Sequence, residues 1–383
     1  MYFDYLIIGS GFAGSVIAER ITNVLNKKVL IIEKRNHIGG NCYDYKDENG
    51  IIIHKYGPHL FHTDCKEVFD YLSNFTDWHI YHHRVLAFID GKKVPVPFNL
   101  NTLYMVFPEI IAKRIEQKLL VKYPYSSKIP ILELKKEEDE DLKFLAGFIY
   151  EKIFLNYTIK QWGLKPEDVD IEVTGRVPVY ISRDDRYFTD RYQAVPVEGY
   201  TSIFKRMLNH PDIKLMLNTD FKEVMKVDQE NKKVYFLGQE FQGKVIFTGM
   251  IDELFGYKFG ELPYRSLDLN FETLELDYFQ EVAVVNYPND YDFTRITEFK
   301  HIHTVESKKT VILKEYPKAC QAGKDIPYYP LFKEESKELY NKYRELSDKF
   351  ENLILVGRLA DYRYYDMDDI VKKALEIFDE KIK

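Results

Sequence analysis

The chain has 383 residues, enough for two or three domains, and 61 acidic against 54 basic side chains leave a formal charge of −7. That balance excludes a general nucleic-acid binder, and a content of 45% hydrophobic and 30% charged residues excludes a disordered chain. No apolar run approaches the roughly 18 residues needed to span a bilayer, so no membrane insertion is expected.

The opening residues lack a basic n-region and run straight into a glycine motif, so no signal peptide is expected. Tyr5–Ile8 is a short apolar run that reads as a buried strand. Gly9-Ser10-Gly11-Phe12-Ala13-Gly14 follows, then a helical stretch, then a second apolar strand, Val29–Ile32, ending at Glu33. Gly9 permits the tight turn, Gly11 lets the backbone approach a pyrophosphate, and Gly14 allows close helix–strand packing. Amides at the helix start face the phosphates, and Glu33, about 20 residues beyond the last glycine, is placed to bond a ribose hydroxyl. Strand, glycines, helix, strand and acid in one short unit predict a bound dinucleotide. Lys34 and the pair Gly39-Gly40 before Asn41 resemble the stretch that continues along FAD in flavoproteins of the glutathione-reductase-like type, a resemblance that favours FAD over NAD. A late strand, Leu353 to Val356, ending in Gly357 and Arg358, fits a return to the same cofactor.

His54, His59 and His62 lack a fourth ligand at close spacing, so no metal site is expected, and Gly57-Pro58 among them reads as a mobile loop. Cys42, Cys65 and Cys320 are widely spaced and read as reduced thiols of a cytoplasmic protein. Asp90-Gly91 marks a hairpin turn between two short apolar strands. From about 99 to 162 the pattern is helical, with Leu142, Leu145, Phe148, Ile149 and Ile153 on one face. Beyond Pro178 the chain is aromatic, turn-rich and short-stranded, as in an antiparallel sheet, with a further sheet region over 264–330. Segments at 234–236 and 244–249 read as returning strands of the cofactor domain, and a final helix is expected from about 368 to 382. Aromatic residues make up 15% of the chain, 30 of them tyrosines, which suits ring stacking and sugar or phosphate recognition.

Several later blocks occur together in order: Gly57-Pro58-His59-Leu60-Phe61-His62-Thr63, Lys160-Gln161-Trp162-Gly163, Asp190-Arg191-Tyr192-Gln193, Tyr264-Arg265-Ser266-Leu267, Thr294-Arg295-Ile296-Thr297-Glu298, Ile326-Pro327-Tyr328-Tyr329-Pro330 and Gly357-Arg358-Leu359. Over nearly its whole length the sequence resembles the bacterial UDP-galactopyranose mutases. The resemblance implies a fold of mixed α/β and α+β class. It has a discontinuous Rossmann-type FAD-binding domain (1–74 with 196–253 and 340–383), an inserted helical domain (98–165), and an antiparallel sheet domain (75–97 with 166–195 and 254–339). It implies ring contraction between UDP-galactopyranose and UDP-galactofuranose for cell-surface polysaccharide synthesis. The reaction is a non-redox use of reduced FAD, whose N5 holds the sugar at its anomeric carbon.

Carried over by motif, Phe154, Tyr157 and Trp162 resemble the walls of the uracil pocket. Arg176 and Arg295 resemble the catalytic pair on the pyrophosphate. Tyr187, Tyr329 and Tyr364 resemble phenols around it, Asp366 a nearby carboxylate, and Asn286 a sugar contact. Tyr364 and Asp366, two apart on an extended segment, are expected to face one side. His59 and His62 resemble catalytic residues of a loop against the flavin ring. Gly9, Gly11, Phe12, Gly14, Glu33, Lys34, Gly40, Asn41, His59, Leu60, Arg265, Gly357, Arg358, Tyr364, Asp366 and Met367 resemble the cofactor contacts.

Two positions depart from the pattern: Tyr180, where an arginine is frequent, and Asp368, where a histidine is. They leave open UDP-N-acetylgalactosamine or a 6-deoxy sugar as substrate. A flavin amine oxidase and a non-catalytic escort of the same fold are the rival classes. The family also implies a homodimer and a reductant such as NAD(P)H or a reductase.

Overall fold

The computed structural model describes residues 2–165, 178–303 and 305–383. Its cofactor half is a five-stranded parallel sheet in the order Ile213–Met216, Val29–Ile32, Tyr5–Ile8, Lys244–Phe247, Leu353–Leu355. The strands are short and apolar throughout because both faces are covered. Alternate side chains divide between the faces. Ile7, Val29, Ile31, Ile246 and Ile354 pack against the helices Phe12–Leu25, Tyr200–Met207 and Met367–Ile377. Leu6, Ile8, Leu30, Val245 and Phe247 pack on the other side, with Leu254 of the helix Ile251–Leu254 and Tyr343 of Glu334–Ser347. Strand order reverses at Tyr5–Ile8, and the glycine turn follows directly, at the crevice where doubly wound sheets bind nucleotides.

A seven-stranded sheet forms the second layer, ordered Tyr329–Pro330, Tyr264–Leu274, Thr310–Ala319, Arg295–Glu298, Val284–Asn286, Val85–Ile89, Lys92–Val96. The two-residue loop Asp90-Gly91 has positive φ at both positions (47° and 77°), the turn whose twist matches paired strands. The sheet is antiparallel except where Val284–Asn286 runs parallel to Val85–Ile89. That pairing is available because the chain leaves the sheet after Val96 and returns through a long crossover.

Between those visits lie the helices Leu100–Val106, Glu109–Lys122, Ile131–Leu134 and Glu140–Ile149. Leu142, Leu145, Ile149 and Ile153 are buried in one core with Val85, Val94 and Leu313 of the sheet, while Phe148 packs at its edge. A small sheet, Phe61–Thr63 with Tyr192–Pro196 and Trp78–Ile80, sets the histidine segment beside Asp190.

One strand expectation changes. Lys244–Phe247 joins the parallel sheet, but Lys233–Phe236 does not. It forms an antiparallel meander with Met225–Asp228 and Gln239–Glu240. Positive φ at Leu237 and Gly238 reverses the chain in two residues, too tightly for the crossover a parallel neighbour requires. No helix among the described residues is long and apolar enough to cross a membrane.

Candidate active site

The turn after the first strand is built by close packing. An added Cβ on Gly14 would stand 2.1 Å from the Gly9 carbonyl oxygen, so only glycine lets the helix Phe12–Leu25 sit this near the strand. Gly9, Gly11 and Phe12 line a cleft at the helix start, whose N-cap Gly11 offers no side-chain acceptor to the first amides. Glu33 lines the same cleft. Its Oε2 accepts from Ser10 N (3.0 Å) and Ser10 Oγ (2.8 Å), and its Oε1 from Arg35 N (3.0 Å), which orients the carboxylate with lone pairs to spare. Lys34, Gly40, Asn41, Gly357, Arg358, Asp366 and Met367 complete the expected walls. Gly14 lies behind the lining, where its packing role puts it.

Two observations fit a dinucleotide here. A Cβ on Gly11 would meet only the Gly40 Cα at 3.8 Å, so its open side faces the cleft. Arg35 Nη1 is buried with no partner among the described residues, in a side chain that lines the cleft.

A second cleft adjoins the first and shares with it Asn41, His59, Tyr328, Arg358, Asp366 and Met367. Tyr157, Trp162, Tyr187, Asn286, Arg295, Tyr329 and Tyr364 all line it, as do His62 and Leu60. Leu60 and Tyr364 therefore face the second cleft and not the cofactor cleft. Tyr364 and Asp366 share its wall, as their spacing on an extended segment requires. Arg176 lies outside the described residues.

Helix phase decides which aromatics reach this cleft. A π-helical turn, Tyr150–Leu155, separates Glu140–Ile149 from the helix Asn156–Trp162. Widening the turn rotates the following residues out of register. Tyr157, Gln161 and Trp162 consequently line the cleft, whereas Phe154 stays in the apolar core with Ile149 and Ile153. Phe154 is thus a core residue and does not line the cleft, although Tyr157 is three positions away. The helix is docked by Lys160, whose Nζ donates to the carbonyls of Tyr287 (2.6 Å), Tyr291 (2.9 Å) and Phe293 (3.2 Å).

Arg265 also departs from expectation, since it lines neither cleft. Its Nε donates to Gln161 O (3.0 Å) and its Nη2 to Lys160 O (2.9 Å). A helix leaves its last carbonyls without partners, and this guanidinium satisfies them, holding the segment that carries Trp162.

Rings run continuously from that helix to the shared wall. Trp162 and Tyr329 have centroids 5.6 Å apart, Tyr329 and Tyr364 stack at 5.7 Å and 7°, and Arg358 lies 5.1 Å over Tyr364. Arg358 is aimed by two carbonyls, Tyr328 O (3.3 Å) and Tyr365 O (2.5 Å).

The two motif histidines are in opposite electrostatic settings. His59 N–H donates to His54 Nδ1 (3.0 Å), and His59 Nδ1 donates to Gly57 O (2.9 Å), which ties the loop internally. Burial, helped by the Arg358 and Arg295 charges and opposed by the Gly57 hydrogen bond, lowers the His59 pKa to about 4. For His62 burial also lowers the value, but it is outweighed by Asp190, 3.3 Å from Nδ1, with Asp366 and Asp368 adding to the pull, so the pKa is raised. The ring stacks on Phe188 at 3.6 Å. His59 is held neutral, while the surroundings of His62 favour its charged form, a separation that suits distinct proton roles.

Linkage gives a direct check. A raised folded pKa contributes stability that is full below the unfolded value and is lost as pH rises through the folded value. The stability gap between wild type and Asp190→Asn is therefore expected to be full below the unfolded histidine value of about 6.5 and to close as pH rises through the raised folded value, by chemical denaturation at each pH. A gap independent of pH would remove the His62 charge from the account. Asp190, Asp366, Asp368 and the neighbouring His83 are the titratable groups that face this ring.

Some residues in the cleft carried no sequence signal. His83, in a His82-His83-Arg84 run, lines it and bonds Tyr81 OH through Nδ1 (3.3 Å); burial first, then Arg295 and His62, lowers its pKa to about 3. Asp190 lies in a quoted motif, yet only the small sheet pairs it with His62. Glu315, whose Oε1 accepts from Arg295 Nε at 2.7 Å, does show a signal: it follows Val311 and Leu313 at period two, an acid on the buried face of a strand. Of the two departures from the family pattern, Tyr180 is buried in the strand Val179–Tyr180, outside the cleft, and Asp368 stands behind the lining beside His62 and Thr63.

The chain is similar to known proteins over nearly its whole length. The sequence profile of UDP-galactopyranose mutase matches residues 152–364, and that of an NAD(P)-binding Rossmann-like domain matches residues 7–75. The chain is 37% identical to the dTDP-fucopyranose mutase of Escherichia coli, covering 97% of this chain and 96% of that one. It is 36% identical to the probable UDP-galactopyranose mutase of Klebsiella pneumoniae, covering 98% and 94%. In fold it is similar to a crystal structure of reduced UDP-galactopyranose mutase, with a TM-score of 0.74 at 18% identity, covering 99% of this chain and 93% of that one.

Proposed function

Because the chain belongs to the UDP-galactopyranose mutase family of enzymes, we propose that it interconverts the pyranose and furanose forms of a nucleotide-linked sugar, UDP-galactose first, using FAD in its reduced state. The observation that carries this reading is the confluence of a dinucleotide cleft with a second cleft lined by aromatic rings and a guanidinium. Bound reduced FAD supplies the nucleophile for the anomeric carbon, a role for which no Ser–His or Cys–His pair was found in the sequence.

The chain's own side chains do the rest. Tyr157 and Trp162 offer flat faces to the base, and Arg295 offers a planar, permanently charged fork to the diphosphate. Arg176 is proposed as its partner there. Tyr187, Tyr329 and Tyr364 donate hydroxyl groups around the same oxygens, and Asn286 Oδ1, buried without a partner among the described residues, is available to a sugar hydroxyl. His59 presents an uncharged ring beside the shared wall, and His62 one biased toward its charged form by Asp190, so each can hold or move a proton with a different bias. Retaining the departing nucleotide in a dry cleft keeps water from the opened sugar. A reductant is needed only to bring the flavin to its active state, because interconverting two isomers consumes no electrons.

A second substrate is favoured by one specific observation: the E. coli relative at 37% identity acts, by its name, on dTDP-fucopyranose. Both substrates are tested together. UDP-galactofuranose and dTDP-fucofuranose are each incubated with dithionite-reduced and with oxidised enzyme, and products are resolved by chromatography and NMR. The expected result is pyranose formation from UDP-galactofuranose in the reduced sample alone. Turnover confined to the dTDP sugar reassigns the substrate, and equal turnover by oxidised enzyme overturns the reduced-cofactor reading.

A further inference from the structure

We propose that Glu315 positions the Arg295 guanidinium for the diphosphate and moderates its charge, so that the nucleotide is held through turnover without being trapped. This rests on the assignment of Arg295 to the diphosphate. Glu315 stands directly opposite Arg295 in the antiparallel register of Arg295–Glu298 against Thr310–Ala319. The pairing is pinned next to Arg295 by Thr294, whose N (2.9 Å) and Oγ1 (3.3 Å) both donate to the Glu315 carbonyl.

The pair is asymmetric. Glu315 is completely buried, while the Arg295 side chain keeps a quarter of its surface open toward the cleft. Oε1 takes the Nε proton, which fixes the guanidinium plane and leaves both Nη groups for a ligand. Oε2 is buried with no partner among the described residues, so nothing there dilutes the negative charge set beside the cation. Burial raises the Tyr157 and Tyr329 pKa values, so these neighbouring phenols stay neutral and add no counter-charge.

The consequence follows from what the reaction asks of this site. A diphosphate that leaves the sugar and later returns must be oriented precisely, yet extra binding applied equally to every state adds nothing to turnover. A guanidinium paired with a carboxylate meets this demand, because direction comes from the Nη fork and the net charge of the pair is near zero.

The experiment titrates holoenzyme with UDP and with dTDP by calorimetry, alongside steady-state kinetics, in three variants. Glu315→Gln keeps an acceptor oxygen and removes the charge: the dissociation constant is expected to fall about five- to fiftyfold, with KM and kcat falling together. Glu315→Asp keeps the charge but withdraws it from Nε: KM is expected to rise and kcat to fall, with no gain in affinity. A glutamine variant binding no more tightly than wild type, or an aspartate variant binding more tightly, overturns the proposal. A purely structural role would lower the melting temperature of both variants without tightening either. Arg295→Lys separates the two layers of the argument. If it leaves nucleotide affinity unchanged, the assignment of Arg295 itself has failed; if it weakens binding while Glu315→Gln matches wild type, only the role of Glu315 has.

Discussion

Replacing Arg295 by alanine is expected to cut turnover by about 10²- to 10³-fold while the protein retains its flavin spectrum. The guanidinium lines the second cleft and not the first, so cofactor binding is expected to persist. What is lost is the planar donor pair proposed to neutralise the departing diphosphate, and a lysine at this place restores the charge without the fork. The substitution also strands Glu315, fully buried, without its partner. Breaking a buried pair from one side costs about 3–5 kcal/mol, so the single variant is expected to be less stable as well as inactive. Adding Glu315→Gln to Arg295→Ala separates these effects: thermal stability should recover and turnover should not. Full activity in the folded Arg295→Ala protein, measured by product formation, would take Arg295 out of the diphosphate site.

Two glycines in the same motif are expected to fail in different ways. In Gly14→Ala the new methyl falls 2.1 Å from the Gly9 carbonyl oxygen and 3.0 Å from Ile7 Cγ2. The closer obstacle is backbone within the turn itself, so relief requires separating the helix from the strand. The expected result is loss of soluble, folded protein, a cost beyond about 4 kcal/mol. Gly11→Ala meets the Gly40 Cα at 3.8 Å, an ordinary contact, and φ of −73° suits alanine. That variant should fold with the melting temperature of the wild-type apoprotein and lose flavin, with an affinity reduced on the order of tenfold or more, because its methyl occupies the approach of the pyrophosphate. The flavin-to-protein ratio after gel filtration decides it. A fully flavinated Gly11→Ala protein would move the pyrophosphate elsewhere along the cleft.

Much of the site was legible in the chain because its signals are local. The spacing of Gly9, Gly11 and Gly14 before a helix, the acid Glu33 after the next strand, and the Asp90-Gly91 turn each depend on backbone conformations that near neighbours dictate. The later motifs carried Tyr157, Trp162, Asn286, Arg295, Tyr329 and Tyr364 to one cleft by resemblance, and all of them line it. The errors share a physical origin. Phe154 and Tyr157 belong to one wall on an uninterrupted α-helix, but the turn Tyr150–Leu155 is π-helical, and a single widened turn sends Phe154 to the core. Arg265 is a cation within a cofactor motif, yet a cation binds whichever acceptors are nearest, and here those are the carbonyls of Lys160 and Gln161. Lys233–Phe236 has the composition of a returning strand, but positive φ at Leu237 and Gly238 gives it an adjacent antiparallel partner.

By itself, then, the amino-acid order determined the dinucleotide turn, the continuous apolar runs that bury both faces of the parallel sheet, and the set of side chains available for a nucleotide sugar. Only the tertiary structure decided their employment: that Arg295 meets Glu315, that His62 meets Asp190, and that Arg265 is consumed by a helix end. The reason is geometric. Turn and periodicity depend on residues a few positions apart, whereas the partner of a buried charge is chosen by strand register and helix phase between segments distant in the chain, and a shift of one residue in either gives the same side chain a different neighbour.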